Sequence, residues 1–115
     1  MSEGKIRCII KRPDEQYGHV TNISTTLANL QNIVEGPIEQ VTIMNEKKDK
    51  PGICIICNEE GKLRGLVPSI RIGHGALLDV IVGTSIIIGF KDGALVDIPI
   101  SFQTWKTIMF EWGNL

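Results

Sequence analysis

A chain of 115 residues with 43% apolar side chains can bury roughly two-thirds of its unfolded surface, so residues 1–115 read as one domain that needs no disulfide or metal staple. Twelve Lys and Arg against thirteen Asp and Glu leave a net charge of −1, which argues against both a nucleic-acid binder and a densely negative DNA mimic. An odd number of cysteines, three, fits a reducing compartment, and no apolar run reaches the eighteen or so residues of a membrane span, so a cytoplasmic protein is expected.

Lys5 to Lys11, KIRCIIK, alternates Ile6, Cys8 and Ile10 on one face with Lys5, Arg7 and Lys11 on the other, Ile9 being the exception. This pattern predicts a strand with one buried side. Arg12-Pro13-Asp14 stops it, and DEQYGHVTN reads as a polar loop. Ser24 is the expected cap of a short helix whose stripe is Leu27, Leu30, Ile33 and Val34, ended by Gly36-Pro37. Ile38 to Met44 reads as a strand, and Asn45 to Gly52 as a charged turn whose lysines form a solvated tip.

Ile53 to Cys57, ICIIC, is apolar throughout, as a strand covered on both faces would be. Asn58 to Lys62 then predicts a turn with Gly61 at positive φ, and Leu63 to Val67 a returning partner strand. Pro68 to Leu78 lacks a regular period. Asp79 to Phe90 predicts a bent strand or two short ones broken at Gly83-Thr84, and Lys91-Asp92-Gly93 a hairpin turn into Ala94 to Ile98. Ser101 caps the last helix, where Phe102, Trp105, Met109 and Trp112 line one stripe and Ile100 can staple onto Trp105. The fold class is α+β: a mainly antiparallel sheet of five to seven strands with two helices, one early and one C-terminal, most simply on one face.

Cys54 and Cys57 have the spacing of a zinc knuckle or a redox pair. A knuckle turns tightly between its cysteines so that both sulfurs converge on one ion, whereas here Ile55 and Ile56 intervene within a strand, and positions three apart point to opposite faces. A thioredoxin-like pair opens a helix, and this one does not. Buried free thiols are the better account, and neither metal nor cofactor is expected. No nucleophile elbow or phosphate-binding glycine loop is present, since VGTSIIIG lacks the lysine and spacing of a P-loop.

What remains is an anion- or nucleotide-binding surface. Its candidates are Arg7, Lys11 and Arg12, then Tyr17 and His19, then Asn58, Glu59, Lys62 and Arg64 at the turn, and Arg71 and His74 beyond it. Arginine suits the purpose because its planar fork pairs with phosphate oxygens twice. Charged residues on a sheet face are also commonly just solvated, and a lone His such as His74 between two glycines is more often a solvated loop residue than a ligand contact.

The segments RCIIKRPDEQYGHVTNIS, LANLQNIVEG, ICNEEGKLRGL and DIPIS followed by Trp105 resemble a family of small uncharacterised bacterial and phage proteins classed as a domain of unknown function. Leu66-Val67-Pro68-Ser69 departs from the Gly-Leu-Pro and polar residue of that family, which leaves this turn without an inherited role. The resemblance implies an accessory protein of phages and mobile elements, acting in the host cytoplasm and supplying no catalytic residues. Three classes of function follow. The first is a non-catalytic binder of a small nucleotide-like ligand, such as a host immune signal to be sequestered, with a homo-oligomer suiting it. The second is an anti-defence inhibitor or adaptor that binds a host protein through a sheet edge or the aromatic helix. The third is a hydrolase of a nucleotide signal.

Overall fold

The computed structural model describes residues 4–73 and 75–114. Eight strands and two helices follow in chain order: β1 (Lys5–Lys11), β2 (His19–Ser24), α1 (Leu27–Val34), β3 (Ile38–Met44), β4 (Gly52–Asn58), β5 (Pro68–Ile72), β6 (Asp79–Val82), β7 (Ser85–Lys91), β8 (Ala94–Val96) and α2 (Phe102–Glu111), with a 3₁₀ turn at Gly75–Leu77. Six strands form an antiparallel sheet in the order β2-β1-β7-β4-β3, with β8 paired to β7. The remaining two, β5 and β6, pair as a separate hairpin-like layer. The fold class expected from the sequence is thus the one observed.

Alternation along β4 shows how the layers are filled. Ile53, Ile55 and Cys57 join one apolar cluster with Ile70, Ile81, Trp105 and Met109, while Cys54 and Ile56 join another with Leu30 and Val34. The helices therefore cover opposite faces of the sheet, not one face: α1 lies on one side, and α2 with the β5–β6 pair on the other. Every residue of β4 is buried. With β7 beside it supplying Ile86, Ile87 and Ile88, this pair is the spine of the core.

The same layering corrects the reading of β1. Cys8, Ile9, Ile10 and Lys11 are all buried, because β1 lies between β2 and β7 and both faces are covered there. The supposed loop DEQYGHVTN holds the start of β2, whose neutral, β-branched Val20, Thr21 and Ile23 pair with β1 over an unbroken register. Thr26 caps α1 in place of Ser24: its side chain accepts a hydrogen bond from the Asn29 amide, while Ser24 Oγ accepts one from the Thr26 amide. Leu63 to Val67 forms turns and no strand, with Leu63 92% exposed, and Gly65 takes the positive φ expected at Gly61. No strand returns along β4 here: the next strand, β5, begins at Pro68, inside the stretch read as irregular, and pairs with β6.

The C-terminal part follows the expectation closely. Asp79 to Phe90 divides at Gly83 into β6 and β7, which belong to different sheets. Asp92 and Gly93 both have positive φ, the requirement of a tight two-residue hairpin. Ser101 caps α2 by accepting from the Thr104 amide. Trp105 and Met109 are fully buried, Phe102, Trp112 and Ile100 pack beside them, and Trp105 Nε1 donates to the Tyr17 carbonyl at 2.9 Å.

Candidate functional site

The candidate residues do not converge on one site. Three of them serve the fold. The Arg7 guanidinium donates to the Ile98 carbonyl and its amide to the Asp97 carboxylate, joining β1 to the chain after β8. Asn58, 5% exposed, donates from Nδ2 to the Val34 and Glu35 carbonyls at 3.1 and 3.2 Å and accepts the Glu60 amide at 2.8 Å. Arg64 Nη1 donates to the same Glu35 carbonyl at 2.7 Å. Asn58 and Arg64 together satisfy carbonyls that the end of α1 leaves unpaired, where Glu35 adopts a left-handed conformation. Gly36 makes room for this, since a Cβ there would lie 2.6 Å from Asn58 Nδ2.

Tyr17 and His19 lie elsewhere. Tyr17 packs against the α2 cluster and faces the Lys106 ammonium, and His19 Nδ1 is 2.8 Å from Glu15 Oε2. Burial opposes the Glu15 carboxylate, but hydrogen bonds from the Arg12 amide and the His19 ring hold its pKa below the ordinary value. Arg12 is exposed beside them. His74 lies outside the described residues.

Two further concave sites hold other candidates, apart from the one that Tyr17 lines with α2. The first, of about 260 Å³, lies between β3, β6 and the turn after β4, and contains Asn58, Glu59 and Lys62. Its charge is opposite to that expected of a phosphate site: Glu39, Glu59 and Asp79 face one ammonium, Lys62, which is already 3.0 Å from Asp79. That bond, with the Val80 amide, holds the Asp79 carboxyl below the ordinary range. At its base the Cys57 thiol is pushed up to about 11, first by burial and then by Glu39 and Asp79.

The second, of about 250 Å³, is lined by Pro68, Ser69, Ile70, Arg71, Val80 and Asn114. Here β5 meets the end of α2: the Asn114 side chain accepts the Arg71 amide at 2.8 Å and donates to the Arg71 carbonyl at 2.7 Å, so the strand is clasped at that residue. Arg71 has no ion-pair partner among the described residues. Beneath Ser69 lies Lys11, expected on an exposed face but 2% exposed, its ammonium donating to the Arg12 carbonyl at 2.8 Å and to Ser69 Oγ at 3.3 Å. Burial lowers the Lys11 pKa, while the charges of Glu15 and Asp14 partly offset this. Opposite Lys11 in register, Ser85 Oγ is buried with no hydrogen-bond partner among the described residues.

Chemically the second site presents donors. An ammonium can only donate, so Ser69 Oγ accepts from Lys11 and keeps its own hydrogen for a third group; guanidinium likewise only donates. Ser69 and Asn114 were missed in the sequence because neither carries charge nor belongs to a motif, and their partners are 58 and 43 residues away. Glu39 and Asp79 were missed because each sits in an otherwise ordinary strand.

The fold and these two clefts define a three-layer α+β protein whose concave sites flank the β5–β6 pair. The chain matches over residues 6–108 the family described as Domain of unknown function (DUF3846), and it belongs to that family. No curated protein and no solved structure matches it.

Proposed function

We propose that this chain is a non-catalytic accessory protein of phages or mobile elements, working in the host cytoplasm, that binds and sequesters a small nucleotide-like anion. Its site is the cleft between β5 and the end of α2. The observation that carries this reading is the Lys11 ammonium, buried without a carboxylate partner and joined to Ser69 Oγ, so that a positive charge backs a hydroxyl whose hydrogen is directed away from it. Arg71 adds a planar donor on the same wall. A phosphate or other anionic oxygen between Ser69 and Arg71 would meet donors alone, unlike in the acidic cleft.

Thermal unfolding against a panel of linear and cyclic nucleotides tests it. A ligand at 100 times its Kd adds about 2.7 kcal/mol to stability, and Ser69→Ala and Arg71→Ala should each reduce the shift. No shift with any nucleotide, or an undiminished shift in both variants, overturns the reading. Recovery of the intact nucleotide after denaturing the complex distinguishes sequestration from hydrolysis.

A further inference from the structure

We propose that the outer edge of β3 receives an extended segment of a partner protein that carries a lysine or arginine opposite Glu39, the basic side chain entering the acidic cleft. Two separate features meet here. β3 pairs with β4 alone, and none of its backbone groups from Ile38 to Met44 bonds to a loop or helix among the described residues, so one row of donors and acceptors is open. That row borders the 260 Å³ cleft, of which Glu39 and Val41 form one wall.

The charge of the cleft selects the occupant. Lys62 is engaged with Asp79, whereas Glu39 and Glu59 have no cationic partner among the described residues. Two carboxylates are left to meet a cation from outside. Side chains directly opposite in an antiparallel pair share a face and lie about 5 Å apart at Cβ, so a residue paired with Glu39 projects on the cleft side. A long basic side chain from that position can reach toward Glu59, which follows β4 beside Pro37 at the Ile38 end of β3, away from Val41. The strand should carry an apolar residue opposite Val41, which is half-buried, giving the pattern apolar-x-basic along the incoming chain.

β2, at the opposite end of the sheet, borders neither of the two clefts. β3 also has a built-in limit: its register with β4 shifts between Thr42 and Met44, so regular pairing extends over Ile38 to Thr42. The incoming strand is therefore short.

The test uses the intact chain and a fluorescent synthetic peptide alternating valine with threonine, with lysine at one valine position. Saturable binding is expected, with amide resonances of Ile38 to Thr42 shifting on titration. Replacing the lysine by glutamate, or making Glu39→Gln together with Glu59→Gln, should weaken it about tenfold or more. Both glutamates are exposed and outside any ion pair among the described residues, and the glutamine oxygen at position 39 can still accept from the Cys57 thiol as Glu39 Oε1 does, so the variant should melt like the parent. N-methylation of alternate peptide amides, in the phase that faces β3, should abolish binding although the charge is kept. Absence of binding at millimolar peptide, equal binding of the lysine and glutamate peptides, or indifference to N-methylation in both phases overturns the proposal.

Discussion

Lys11 is the residue whose environment is least like that of its type. Its ammonium is buried without a carboxylate in ion-pair contact, and burial lowers its pKa. A base whose folded pKa lies below its unfolded value binds its proton more weakly when folded. Its penalty on stability is therefore fully present below the lowered pKa and disappears as pH rises through the unfolded value of 10.5. Lys11→Met fills similar space without charge, and the Arg12 carbonyl still accepts the Glu15 amide. The variant should be more stable than the parent in urea at pH 7, with the difference shrinking toward pH 10.5. An equal or lower midpoint at pH 7 would contradict this. Asn58 makes the opposite case, since its amide serves both as donor and acceptor. Asn58→Ala should cost about 2–3 kcal/mol in urea denaturation. Asn58→Asp should cost more at neutral pH, because a carboxylate cannot donate to the Val34 and Glu35 carbonyls and would repel both.

Among the elements, the helix caps separate what local sequence states from what it leaves open. Ser101 is followed at once by the aromatic stripe, and it caps α2 as expected. Before α1 the sequence TNISTTLANL offers Ser24, Thr25 and Thr26 in a row, and β2 runs on through Ser24, so the cap moves to Thr26. Thr26→Ala should destabilise by about 1 kcal/mol, and Ser24→Ala by less than half as much, in paired urea melts. Strand β4 was legible because uninterrupted apolar residues need cover on both sides. The two-sided burial of β1 was not, since Lys11 disguised a buried position as an exposed one. β5 was hidden for a related reason: within this strand of the two-stranded layer only Ile70 is buried, too little for a periodic signal. The candidate site was legible in its charged members, Lys11 and Arg71, but their meeting depends on Ser69 and on the Asn114 clasp, which only the folded chain brings together.

For the molecule as a whole, the three cysteines report on the integrity of the core. Cys8 lies on β1, Cys54 and Cys57 on β4, and the two on β4 belong to different apolar layers, Cys54 with α1 and Cys57 with α2 and β6. Their sulfurs therefore diverge, and one ion cannot hold both without breaking the strand. Burial pushes the thiols to about 11 for Cys8 and Cys57 and about 12 for Cys54, so the reactive thiolate is scarce at neutral pH even before access is considered. A disulfide reagent should leave all three unmodified in the native protein and label all three in urea. Because Cys8 and Cys54 lie on strands flanking β7, no fraying of an edge exposes them. Their labelling rate should then follow the global unfolding equilibrium, falling with each stabilising variant in proportion to its change in stability. Cys57 sits at the base of the acidic cleft, so it should label first. If Cys54 reacted as fast as Cys57 in dilute urea, the sheet would be opening at its centre, and the spine formed by β4 and β7 would not be the most stable part of the fold.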